Sequence, residues 1–318
     1  MNTQQHAGTS STAHDSTQRS RKIPLIALAL VSMLLSMHVS AASAPLQSGD
    51  DDGALSAKSR TGSRGAKLYA IDCGRVDMKD ADFLADDGSM KGVAGTSVVP
   101  CYVIRHRRGD LVWDTGLPET MRNNTTKPDA DFKFNVGTAF VDQLKTIGLS
   151  PADIEYVSFS HLHFDHAGNA NAFAASTWIV DHRELAVAFS DQARDRGESA
   201  HYDKLRSAQK IIIGRDGPHD VFGDGSVVIH SAPGHSPGHS MLLVNTSHSG
   251  SVLLTGDLWI LDESRQRRLV PIYNSSREQT LQSMDYAETL AKKTGAKIIR
   301  QHVPADFDAL PKFPRALE

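Results

Sequence analysis

Three histidines and an aspartate stand within six residues in the run Ser160-His161-Leu162-His163-Phe164-Asp165-His166-Ala167-Gly168. Imidazole nitrogens and carboxylate oxygens are the borderline and hard donors that zinc and similar divalent ions take. The apolar stretch Tyr156 to Ser160 precedes them, so the donors leave a strand end on a short loop that turns them into one cavity. Leu162 and Phe164 anchor alternate positions. Four donors in so short a loop exceed what one tetrahedral ion with an open position accepts, which points to two metals.

The remaining ligands are expected at other strand ends. The loop Pro233-Gly234-His235-Ser236-Pro237-Gly238-His239 turns sharply at its glycines and prolines. One of its histidines, His235 or His239, can point inward while the other orients it. Asp257 follows the apolar run Val252 to Thr255, and His302 follows Lys297 to Gln301. Two divalent ions, Zn2+ being the expected metal, share a water and lower its pKa from about 15.7 towards about 7. The chemistry implied is hydrolysis. A hydroxide shared by two such ions would be expected to attack an ester-type carbonyl, with one ion polarising the carbonyl oxygen, the other stabilising the departing alkoxide, and Asp165 or Asp257 helping to shuttle the proton. A di-iron redox centre or a non-hydrolytic metal-binding module would use the same donors.

The elements that must position these residues are legible as alternating patterns. Strands are expected at Lys67 to Asp72, Val98 to Ile104, Leu111 to Asp114, Tyr156 to Ser160, Thr177 to Val180 and Lys210 to Ile213. A second series follows at Val227 to His230, Met241 to Asn245, Val252 to Thr255 and Lys297 to Gln301, with Ser249-Gly250 suited to a hairpin turn. A helix is expected over Thr138 to Ile147, and another opens at the capping box Ser275-x-x-Glu278. Strands interleaved with helices and no internal linker argue for one α/β domain over 67–318, compatible with two sheets packed face to face. The polar segment Met121 to Asn135 reads as a flap over the site or as an ordinary surface loop.

The 318-residue chain carries 34 Lys plus Arg against 37 Asp plus Glu, with 40% hydrophobic and 22% charged residues. That profile excludes collagen, coiled coil and a fully disordered chain. A net charge of −3 gives no basic footprint for nucleic acid, so the expected partner is a small molecule. Homo-oligomers are left open.

At the N-terminus, Arg19, Arg21 and Lys22 precede an apolar run from Ile23 to Met37 and small residues through Ala44. This reads as a secretory signal peptide over 1–44, since the run falls short of the roughly 20 residues a membrane span needs. Pro45 after Ala44 keeps an uncleaved anchor open. Residues 45–66 read as a flexible lead-in. A periplasmic or secreted location is therefore expected, with no stable membrane association after cleavage. Export would let Cys73 and Cys101 pair, while their apolar surroundings equally suit two buried thiols.

The signature His161, His163, Asp165, His166 resembles that of the metallo-β-lactamase superfamily. The resemblance implies an αβ/βα four-layer sandwich. It implies His161, His163 and His239 as ligands of one metal, Asp165, His166 and His302 as ligands of the other, and Asp257 as the bridging carboxylate. His239 is taken over His235 because the second histidine of the Gly-His-x-x-Gly-His loop is the one matched to the family ligand.

Within the superfamily the chain most resembles the N-acyl-homoserine lactonases that destroy quorum-sensing signals. Cys73-Gly74-Arg75, Pro100-Cys101-Tyr102, Asp114-Thr115-Gly116-Leu117-Pro118-Glu119 and Ser251-Val-Leu-Leu-Thr255 carry that likeness beyond the metal motif, with Asp114-Thr115-Gly116 read as a tight structural turn. The likeness implies a metal-dependent quorum-quenching lactonase. One departure stands out: those lactonases carry a tyrosine three residues after the bridging aspartate, and this chain has Ile260. Trp259, Tyr273 and Tyr102 are the aromatic residues that could fill the pocket differently. Aryl esters and organophosphate triesters are the alternative substrates. β-Lactams and thioesters are less expected, the former because true zinc β-lactamases lack a bridging carboxylate here.

Overall fold

The computed structural model describes residues 65–122 and 130–318. Among them, twelve strands form two sheets. The first is ordered β4-β1-β2-β3-β5-β6-β7, with β1 Lys67–Met78, β2 Gly95–His106, β3 Gly109–Trp113, β4 Phe132–Asn135, β5 Tyr156–Ser158, β6 Thr177–Asp181 and β7 Lys210–Ile213. The second is ordered β12-β11-β10-β9-β8, with β8 His219–Asp220, β9 Val227–Ser231, β10 Ser240–Asn245, β11 Ser251–Leu254 and β12 Lys297–Ile299.

Side-chain alternation along these strands builds four layers. Tyr102, Ile104, Leu111 and Trp113 of the first sheet meet Ile229, Leu242, Val244 and Leu254 of the second in one buried core between the sheets. The intervening residues Val103, Val112, Val157 and Trp178 face outward, where Phe140 and Leu144 of the helix Phe140–Thr146 cover them. On the far side, Met241, Leu243, Leu253 and Ile298 pack under Met284, Ala287, Leu290 and Ala291 of the helix Arg277–Thr294. Because both faces of each sheet are covered, the central strands read as nearly unbroken apolar runs. This is the αβ/βα sandwich expected from the sequence.

Parallel pairing sets where the loops emerge. β3, β5, β6 and β7 run parallel in the first sheet, as do β11 and β12 in the second. The chain therefore leaves their carboxyl ends on one edge of the sandwich, where open α/β sheets place their ligands.

Several boundaries differ from the sequence reading. β4 and β8 were not expected; β4 occupies the end of the segment read as a flap or loop and pairs with Arg75 to Met78 of β1. Residues 123–129 of that segment lie outside the described residues. The long helix is capped by Ser276, whose hydroxyl accepts from the Gln279 N–H, one residue later than the expected box. The neighbouring Ser275 instead donates its N–H to the His235 carbonyl. Cys73 and Cys101 form a disulfide, closing the alternative of two thiols. The expected signal peptide and most of the lead-in are outside the described residues, but Ala66 is already buried and donates to the Asn245 carbonyl.

Candidate metal centre

The loop after β5 delivers its donors to a buried point shared with the loops after β9, β11 and β12. His161, His163, His235 and Asp257 form one set, and Asp165, His166 and His302 a second; within each set the donor atoms lie within 4.8 Å of one another. In the first, His161 Nε2 is 2.7 Å from His163 Nδ1, and His235 Nε2 is 3.1 Å and 3.2 Å from those two atoms. In the second, His166 Nε2 is 3.3 Å from His302 Nε2, and Asp165 Oδ2 is 3.6 Å from His302 Nε2.

Asp257 stands between the sets with one oxygen towards each. Its Oδ2 lies 3.4 Å from His235 Nε2 and 3.9 Å from His161 Nε2. Its Oδ1 lies 3.2 Å from His166 Nε2 and 3.1 Å from His302 Nε2.

His239 does not join either set, and here the structure corrects the sequence reading. Both of its ring nitrogens are engaged: Nδ1–H donates to the Ala232 carbonyl at 3.0 Å, and Nε2 accepts the Asp257 backbone N–H at 3.0 Å. No lone pair remains for an ion, and the ring serves as a strut under Asp257. Gly256 permits that approach, because at φ +51° a Cβ there would lie 2.5 Å from His239 Nε2. His235, rather than His239, stands in the first donor set. Its Nδ1–H donates to Asn274 Oδ1 at 2.9 Å, and Asn274 Nδ2 donates to Thr280 Oγ1, which fixes the amide and aims His235 Nε2 into the site.

Other buried partners orient the remaining donors. Asp114, left at φ +57° after β3, accepts the Ser160 N–H at 2.7 Å and pairs with His166 Nδ1 at 3.1 Å. The turn expected to be merely structural thus also steers a ligand. His302 Nδ1–H donates to the Val98 carbonyl at 2.9 Å. Glu184, at 4% exposure, accepts from the Leu162 N–H, the Ser236 hydroxyl and the Gly238 N–H. It clamps the loop of His161 and His163 to the loop of His235. Nothing in the spacing of Glu184 or Asn274 marks them in the sequence; only the loops folding over them does.

The donor set fits divalent cations. With their Nδ1 protons donated elsewhere, His235 and His302 present Nε2 lone pairs to the interior, and Asp257 Oδ1 is buried without a hydrogen-bond donor. Burial pushes His161 well below its ordinary value and brings His163 and His235 to about 3, so these rings are neutral at neutral pH, the form a divalent ion would take. Burial opposes charge on His166 as well, but the carboxylates of Asp257, Asp165 and Asp114 outweigh it and raise that group well above its ordinary value. That half of the site attracts positive charge.

The centre opens into a cavity whose near wall holds His163, Asp165, Asp257 and His302 and whose far walls hold Val76, Met78, Phe83, Leu84, Phe132, Phe134, Phe164, Ile260 and Tyr273. Of the aromatic candidates from the sequence, Trp259 packs under the helix Arg277–Thr294 and Tyr102 lies between the sheets. Tyr273 reaches the cavity, its ring edge-on to His163 at 6.1 Å and to His235 at 5.6 Å.

Residues 94–296 match the model of the metallo-β-lactamase superfamily. The chain is 31% identical over 267 residues to the N-acyl homoserine lactonase AttM of Azorhizobium caulinodans, covering 79% of this chain and 97% of that protein. It is 32% identical over 236 residues to an N-acyl homoserine lactonase of Bacillus thuringiensis, covering 71% and 89%. A solved N-acyl homoserine lactone hydrolase, with the product N-hexanoyl-L-homoserine at its catalytic metal centre, superposes with a TM-score of 0.67 at 30% identity, covering 80% of this chain and 99% of that one.

Proposed function

The chain belongs to the metallo-β-lactamase superfamily as a hydrolase, and from that premise we propose that it opens the ring ester of N-acyl-homoserine lactones with two zinc ions. The observation that carries the reading is the shape of the cavity: two sets of metal donors at one end and a long apolar lining at the other. An amphiphile with a polar ring ester and an alkyl tail matches both ends at once, the tail gaining about 0.8 kcal/mol for each methylene removed from water.

His161, His163 and His235 would hold one ion, Asp165, His166 and His302 the other, with Asp257 between them. When bound, the ions supply a water activated near neutral pH and Lewis acidity at the carbonyl. The chain's own residues do the rest. Asp114, Asn274 and the Val98 carbonyl fix ring orientation, and the aromatic walls exclude bulk water. Asp165, whose side chain is 19% exposed and lines the cavity, is placed to carry the water's proton towards the departing alkoxide. Water adds at the carbonyl, the ring C–O bond breaks, and the product is the open N-acyl-homoserine.

We also propose export. The basic residues and apolar run at the N-terminus support it, as does the Cys73–Cys101 disulfide, a bond that persists in oxidising compartments.

Comparing kcat/KM for an N-decanoyl-homoserine lactone, an aryl ester, a phosphotriester and a β-lactam tests the substrate. The lactone should be preferred by at least tenfold. Preference for the aryl ester or phosphotriester would move the activity to the alternative class.

A further inference from the structure

The cavity contains a hydroxyl that the hydrolytic machinery above does not use. Tyr273 is 5% exposed and shares the lining with His163, Asp165, Asp257 and His302. Apart from those donors and Ser97 the lining is apolar, with Phe83, Leu84, Phe132 and Ile260 among it. A phenol on the wall of such a cavity can donate to an acceptor that a ligand brings there.

The ring is also held in place. His163 and His235 meet it edge-on, and Phe83 covers it at 6.0 Å. The chain on both sides is tied down: Ile272 donates its N–H to the Phe83 carbonyl, and Asn274 is locked to His235. Tyr273 is therefore fixed in register with the first donor set, as a preorganised donor must be. Ile260, three residues after Asp257, lines the same cavity with an alkyl group and offers no donor. Ser97 is the other neutral hydroxyl of the lining, and it stands beside Val98, on the His302 side.

We infer that Tyr273 is the substrate-contacting donor of this site, its phenol hydrogen-bonding the carbonyl oxygen of the bound ester as negative charge develops there. The inference rests on the lactonase reading above. No covalent step is involved, and the phenol keeps its proton.

Wild type and Tyr273→Phe are compared on N-hexanoyl-homoserine lactone after their metal content and unfolding temperatures have been measured. The variant should keep two metals and its fold, while kcat falls roughly 10- to 100-fold with a smaller change in KM. Its calorimetric affinity for N-hexanoyl-L-homoserine should weaken roughly tenfold. Adding Ile260→Tyr to Tyr273→Phe should restore part of kcat by supplying a phenol from another position in the same lining.

A metal-replete Tyr273→Phe protein with unchanged kcat and product affinity overturns the assignment and leaves the lactonase reading intact. So does a variant that sheds its metals, which marks a packing role, or a loss confined to Ser97→Ala. A wild type that holds two metals yet leaves the lactone untouched overturns the lactonase reading itself, and the assignment of Tyr273 with it.

Discussion

The backbone N–H of Asp257 donates to Nε2 of His239 across 3.0 Å, so a histidine offered by the sequence as a ligand holds up from below the carboxylate that stands between the two donor sets. His235, four residues earlier, completes the donor set. The two histidines therefore differ in what their loss does. His235→Ala should lower bound metal from two ions towards one and cut turnover by more than about 100-fold, beyond the usual cost of an outer-shell change. His239→Ala should retain more metal but lose stability, since the Ala232 carbonyl and the Asp257 N–H are left buried and unpaired at about 1–3 kcal/mol each. Metal stoichiometry and thermal unfolding of the two variants separate these outcomes.

Which histidine binds was not legible because both sit on one turn-rich loop and suit it equally. The decision is made by partners distant in sequence: Asn274 for His235, and the Asp257 amide for His239. The cluster His161 to His166 was legible because its donors are local to one loop at a strand end. The layered architecture was legible for the same kind of reason, the apolar runs being long and punctuated. β4 was hidden by its brevity, with Phe132 and Phe134 alternating inside a polar segment. The helix cap slipped by one residue because Ser275 and Ser276 are chemically alike, and the frame is set by the folded loop, where Ser275 N–H donates to the His235 carbonyl and Ser276 N–H to the Gly234 carbonyl.

Asp114 couples the turn after β3 to the second donor set. Its carboxylate pairs with His166 Nδ1, and its backbone at φ +57° lies in a region that asparagine also tolerates. Asp114→Asn should keep the fold while reducing metal affinity or activity about 10- to 100-fold. Titrating zinc into the metal-free variant measures the change; an affinity equal to wild type would remove Asp114 from the account.

Glu184 holds two site loops together through three hydrogen bonds. Burial raises its pKa, against the donors Ser236, Gly238 and Leu162. A folded value above the unfolded one means the folded state takes up its proton first, so this residue's contribution to stability declines as pH rises from the unfolded pKa through the folded one. Glu184→Gln should flatten that part of the stability profile. Glu184→Ala should cost about 1–3 kcal/mol for each unpaired group, a fall of several degrees in Tm. A Glu184→Ala protein as stable as wild type would contradict the clamp.

Phe134 of β4 forms part of the apolar wall. Phe134→Ala should weaken kcat/KM for an N-decanoyl lactone by about tenfold while leaving an N-butanoyl lactone nearly unaffected, because the longer tail loses the buried contact. Equal losses on both substrates would place the tail elsewhere.

The most direct test of the central claim is acid release from a long-chain N-acyl-homoserine lactone by the zinc-loaded protein, with His166→Ala as the control. The account predicts two zinc ions per chain and efficient turnover that collapses in His166→Ala together with metal binding at the second set. A protein shown to hold two zinc ions that leaves the lactone intact would contradict it.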